Sequence, residues 1–84
     1  MRWTVTWRSS AQNHLATLWV NAQDRSAVRA AADTIDANLA RDPYAQSESR
    51  ASGLRIMIVA PLAVLYEVSD DDRLVTVLAV WRPR

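Results

Sequence analysis

Residues 54–81 read LRIMIVAPLAVLYEVSDDDRLVTVLAVW, and the fold depends on how this run divides. Ala60-Pro61 interrupts it once, because proline lacks a backbone donor and ends a strand at a turn. Ser69-Asp70-Asp71-Asp72 interrupts it again with side chains that favour turns over sheet. The pieces between are rich in β-branched and aliphatic residues, which marks them as strands: Leu54 to Val59, Ala63 to Val68, and Leu74 to Trp81. Links this short cannot carry a crossover, so the three strands form an antiparallel meander. The last is apolar on both faces, with Val75, Val77 and Ala79 on one and Leu74, Leu78 and Val80 on the other. That pattern suits a central strand covered from both sides.

Working outward, residues 2–8 read RWTVTWR. Trp3, Val5 and Trp7 alternate with Arg2, Thr4, Thr6 and Arg8, which predicts a half-buried strand. Ser9 followed by Gln12 matches a capping box, and Ala11, Leu15, Leu18, Trp19 and Ala22 recur at helical spacing. After a break at Asn21 to Gln23, Asp24 is placed to cap a second helix, whose buried face holds Val28, Ala31, Ala32, Ile35 and Leu39. Asp42-Pro43 ends it, because the residue before proline disfavours the helical conformation. Two amphipathic helices joined by a short turn make an antiparallel hairpin. Residues 43–53, PYAQSESRASG, read as a polar loop holding the only glycine.

The predicted order is β-α-α-β-β-β. It describes one α+β domain spanning residues 1–84, with a four-stranded antiparallel sheet and a helical hairpin on one face. The opposite face is then left uncovered. It is expected to carry Arg2, Thr4, Thr6 and Arg8 from the first strand and Arg55, Met57 and Val59 from the second. An exposed surface mixing apolar, polar and basic groups marks a partner site.

Composition narrows the class. An 84-residue chain has room for one small domain. It contains no cysteine and one histidine, which excludes disulfides and makes a structural zinc site an unsuitable reading. No metal or other cofactor is expected. The net charge is +1, and all ten basic residues are arginine. Arginine suits phosphate recognition, but the codon bias of a GC-rich genome is the better reading, because it also explains why alanine occurs 14 times. The N-terminus lacks the apolar core of a signal peptide, and no run approaches a membrane span. A cytoplasmic protein without membrane association is the expectation.

The combination of WTVTW, SAQNHLATLW, RAAADTIDANLARDP, SESR, LRIMI, LAVLYEV with its trailing aspartates, and VTVLAVW resembles the RelE/ParE toxins over nearly the whole chain. The resemblance implies the toxin of a type II toxin–antitoxin module, neutralised by a cognate antitoxin. It implies one of two actions: inhibition of DNA gyrase by binding, as in ParE-like members, or ribosome-dependent cleavage of mRNA, as in RelE-like members. A degenerate module without activity is a third alternative.

RNA cleavage requires charge stabilisation on phosphate and proton transfer. By resemblance, Arg55 is the candidate phosphate contact, Glu48 the candidate base, and Arg82 a further basic contact. Two positions depart from the pattern. Ala63 stands where the family usually carries a second arginine. Trp81 stands where nucleases often place histidine or tyrosine, and tryptophan does not exchange protons. Binding of the target without cleavage is therefore the leading reading. The candidate binding residues for antitoxin or target are Met57, Val59, Trp81, Arg2, Arg8 and Arg84, with an antitoxin segment paired to a sheet edge. His14, Tyr66 and the aspartate run are read as surface, packing and turn.

Overall fold

The computed structural model describes residues 2–50 and 53–83. Its elements are β1 (Thr4–Trp7), α1 (Ser9–Asn21), α2 (Arg25–Arg41), β2 (Glu48–Ser49), β3 (Leu54–Val59), β4 (Leu62–Ser69) and β5 (Leu74–Trp81). The α+β class and the helical hairpin on one face of the sheet are as expected. The sheet itself is mixed and five-stranded, in the order β1-β5-β4-β3-β2, where four antiparallel strands were expected. β3, β4 and β5 form the antiparallel meander, but β1 lies parallel to β5, from Thr4↔Leu74 to Trp7↔Val77. α2 sets this direction: it starts beside Arg82 past the end of β5 and ends beside the start of β1, where the Trp3 N–H donates to the Ala40 carbonyl at 2.8 Å. The fifth strand is β2, two residues antiparallel to β3 inside the segment read as loop.

β5 lies inside the sheet between β1 and β4, while the middle strand is β4. Helices cover β5 on one face only, where cover on both was expected, and its pairing with β4 contains a bulge. Leu65 pairs with Ala79 and Tyr66 with Val77, so Leu78 has no partner across the strand. An unpaired residue inverts the alternation beyond it. The core-facing set is therefore Val75, Val77 and Val80 in place of Val75, Val77 and Ala79. The same inversion sends Trp81 to the side away from the helices; without the bulge it would point into the core.

That core is built mainly on α2. Val28, Ala31, Ile35 and Leu39, spaced by three or four residues, are buried against Met57, Leu62, Val64, Tyr66, Val75, Val77 and Val80. α1 contributes Ala11 fully and Leu15 and Leu18 in part. Trp19, predicted for the buried stripe, is 41% exposed. The Arg25 guanidinium lies 5.1 Å from its ring centre and donates to the carbonyls of Trp19 (3.1 Å) and Val20 (2.8 Å). It thereby caps the end of α1, satisfying the Val20 carbonyl and adding a second donor to the Trp19 carbonyl, which also accepts from the Ala22 N–H at 3.2 Å.

The helix starts also differ from expectation. Arg8 occupies the N-cap of α1, so Ser9 is already helical and no capping box forms. Asp24 does cap α2, but its carboxylate makes no bond to the helix backbone.

Candidate functional site

β3 decides which side chains face outward, and it has the opposite phase to the one predicted. Leu54 to Val59 is apolar at every position but one, so periodicity does not fix its register, and a one-residue shift exchanges the faces. The expected outward set was Arg55, Met57 and Val59. In the structure Met57 is 1% exposed within the core, and Val59 packs against it, while Ile58 is 59% exposed. Met57 and Val59 therefore do not lie on the open face; their neighbours Ile56 and Ile58 do.

The open face is ordered by strand pairing, because directly paired residues share a side. Ile58 pairs with Ala63, and Ala63 with Trp81. Ile56 pairs with Leu65, and Leu65 with Ala79. These two rows make a contiguous apolar surface, floored by the small Ala63 and Ala79 and walled by Ile56, Ile58, Leu65 and Trp81. The polar groups lie around it: Glu48 opposite Ile56, Glu67 opposite Thr76, and Thr4 and Thr6 on β1. Beside Glu48, a shallow cleft of about 330 Å³ is lined by Gln46, Ser47, Glu48, Ile56 and Ile58. Among the described strand residues, no arginine stands in the two apolar rows.

Arg55 lies on the other side, beyond the end of α2. Its Nε donates to the Ser47 hydroxyl at 2.9 Å, and its guanidinium sits 5.1 Å from the Tyr44 ring centre. Tyr44 meets Trp3 edge-on at 6.0 Å, and Arg73 covers Trp3 at 4.4 Å. The Tyr44 hydroxyl donates to Asp70 at 2.7 Å, which favours the protonated phenol and raises its pKa above the usual value. Tyr66, fully buried on β4, donates its hydroxyl to the Pro43 carbonyl and anchors the start of this segment. An aromatic and cationic stack thus holds Arg55 in one orientation. Tyr44 and Ser47 were not singled out from the sequence; the signal available was an aromatic residue immediately after the helix-ending proline.

The three candidate catalytic residues are not brought together. Glu48 is exposed and paired with Arg50 at 3.5 Å. Arg82 follows Trp81 at the opposite end of the meander from Arg55, roughly 13 Å away along the strands. Its two terminal nitrogens meet the two oxygens of Asp24 at 2.8 and 2.9 Å. The pair holds the Asp24 carboxyl below the usual range and raises the Arg82 pKa. Leu18, Asn21, Ala22, Gln23, Asp24 and Arg82 line an open cleft of about 420 Å³ here. Arg2 and Arg8 are exposed on either side of β1. Arg84 lies outside the described residues. Among the described residues, no group of acidic, histidine or cysteine side chains converges on a metal position, and no helix is long and apolar enough to cross a membrane.

The structure thus presents a half-open sheet with one helical hairpin, an apolar outer surface and dispersed charges. The profile of the ParE toxin of the type II toxin–antitoxin system parDE matches residues 5–84, and the chain belongs to this family, within the RelE/ParE superfamily of toxins. Solved structures agree in fold. In the RelBE2 toxin–antitoxin complex from Mycobacterium tuberculosis, the similar chain has a TM-score of 0.81 at 20% identity, over 99% of this chain and 93% of that one. The archaeal RelE–RelB complex from Pyrococcus horikoshii gives 0.72 at 17% identity, covering 100% and 97%. The intact RelBE toxin–antitoxin complex of E. coli gives 0.70 at 13% identity, covering 98% of each chain. No curated protein matches the sequence.

Proposed function

We propose that this toxin acts by binding its target, DNA gyrase, in the cytoplasm, and that a cognate antitoxin neutralises it by covering the same open sheet face. The observation that carries this reading is the row Ile58–Ala63–Trp81. A nuclease needs fixed positive charge and a proton donor on the surface that receives RNA. This row offers an isoleucine, an alanine and an indole, which suit a protein surface with apolar anchors. The related toxins solved in complex with RelB-type antitoxins support the antitoxin half of the reading.

One observation favours cleavage of mRNA as the second reading. Arg55 is held by Ser47 and Tyr44, and no described carboxylate forms an ion pair with it. A preorganised guanidinium is suited to phosphate, with Glu48 and Arg82 as further contacts.

Purified toxin separates the two. Inhibition of gyrase supercoiling without ribosomes, abolished by Ile58→Asp and retained by Arg55→Ala, is the expected result. Cleavage of mRNA in the presence of ribosomes, abolished by Arg55→Ala, overturns the proposal in favour of the second reading.

A further inference from the structure

The Asp24–Arg82 pair joins two distant parts of the chain: the turn between the helices and the end of β5. Its geometry is that of an arginine fork receiving a carboxylate, with two near-parallel bonds of 2.8 and 2.9 Å. Its setting is unlike that of a structural ion pair. The side chains remain 38% and 45% exposed, so water and salt compete for both partners and closure adds little net stability. The cleft alongside is open and large enough for another side chain.

Asp24 also has a second use for its carboxylate. It is the N-cap residue of α2, and its backbone carbonyl accepts from Ala27 (3.0 Å) and Val28 (3.1 Å). Its side chain, drawn off by Arg82, makes none of the bonds to first-turn N–H groups that aspartate ordinarily makes there. On leaving Arg82, the carboxylate has unpaired donors beside it. Exchange therefore replaces one set of partners with another and strands no charge. A contact whose carboxylate has other donors beside it is the element a switch requires.

We infer that Asp24 is an intramolecular competitor for Arg82, holding a carboxylate-binding fork closed until an acidic side chain of a protein partner displaces it. Arg82 directly follows Trp81, which stands on the open face opposite Ala63. The Arg82 guanidinium reaches toward the helix side, at the turn before α2. A polypeptide covering Trp81 therefore meets it by continuing over the end of β5, and two-pronged recognition of a carboxylate fits that guanidinium. The inference rests on the reading that a protein partner covers the open face, and it adds that the partner places an aspartate or glutamate beyond its apolar anchor.

The test titrates full-length toxin with a short oligoglutamate peptide and, separately, with single-stranded oligodeoxythymidylate at matched ionic strength, following the Arg82 side-chain N–H signal by NMR. Asn is as good an N-cap as Asp, so Asp24→Asn keeps the fold. Asp24→Asn is expected to bind oligoglutamate roughly two- to fivefold more tightly than the parent, the worth of one exposed pair. Adding Arg82→Gln removes the gain. The gain persists when Ile58→Asp is added, so a failed docking surface remains distinguishable from a failed fork. Unchanged or weaker binding in Asp24→Asn, a gain that survives Arg82→Gln, a gain lost on adding Ile58→Asp, or a larger gain for oligodeoxythymidylate each overturns the inference.

Discussion

Met57 and Ile58 are adjacent in sequence and lie on opposite sides of β3, so truncating each one measures the phase of the strand directly. Met57 is 1% exposed and embedded with Val64, its cross-strand partner, in the core. Burying a methionine side chain is worth about 1.5–3 kcal/mol, and the cavity left by truncation adds to the loss. Met57→Ala is therefore expected to cost about 2–5 kcal/mol. Ile58 is 59% exposed, so Ile58→Ala forfeits chiefly strand propensity, at most about 1 kcal/mol. In a domain this small each kcal/mol moves Tm by about 4–8 °C, so the two variants are expected to differ in melting temperature by more than the scatter of any single scan. Urea unfolding followed by circular dichroism gives the comparison, with the two m values checked for equality so that the midpoints report stability alone. Binding gives the complement. Ile58→Asp is expected to fold and to lose the target and the antitoxin. Equal costs for the two alanine variants, or a larger one at Ile58, would show that β3 presents its other face to the helices and would remove the apolar row on which the functional reading stands.

Other outcomes follow from single contacts. Tyr66→Phe removes the buried donor to the Pro43 carbonyl, which keeps only the long 3.4 Å bond from the Ser47 hydroxyl, and is expected to destabilise by about 1–3 kcal/mol in the same urea experiment. Tyr44 holds its proton more tightly in the folded protein because its hydroxyl donates to Asp70. The stability this adds is complete below the ordinary tyrosine pKa and is lost as pH rises through the raised folded value. An ultraviolet titration is expected to show a tyrosine ionising above its usual range, and that component is expected to vanish in Tyr44→Phe. Asp24 has the reverse sign: its contribution is present above the ordinary carboxylate pKa and is lost as pH falls through the depressed folded value. An NMR titration of the Asp24 carboxyl is expected to show the depression in the parent and its loss in Arg82→Gln.

Much of the architecture was legible because alternation and helical spacing each leave one face unambiguous. Val28, Ala31, Ile35 and Leu39 admit only one buried stripe, and Trp3, Val5 and Trp7 only one inward side. The errors fall where that ambiguity returns. LRIMIV is apolar on both parities, so the single Arg55 suggested an outward phase that packing against α2 reverses. The bulge at Leu78 leaves no mark in a run of valines and leucines, yet it determines that Trp81 faces outward. β2 was missed because two residues are too few for a pattern. At the site, Ala63 and Trp81 were recognised as departures from a nuclease surface, whereas the Asp24–Arg82 pair was not visible. Its members lie 58 positions apart, and nothing local in either sequence context points to the other.

The parallel seam between β1 and β5 has a consequence for how the molecule is made. Thr4 waits for Leu74, so the earliest strand to leave the ribosome finds its neighbour only after nearly everything else has been synthesised. Contacts of such long range form slowly. Until β5 arrives, β1 and β4 have no strand between them, and α2 has only part of the surface it is shaped to cover. The sheet thus closes late, when β5 becomes available to join β1 to β4.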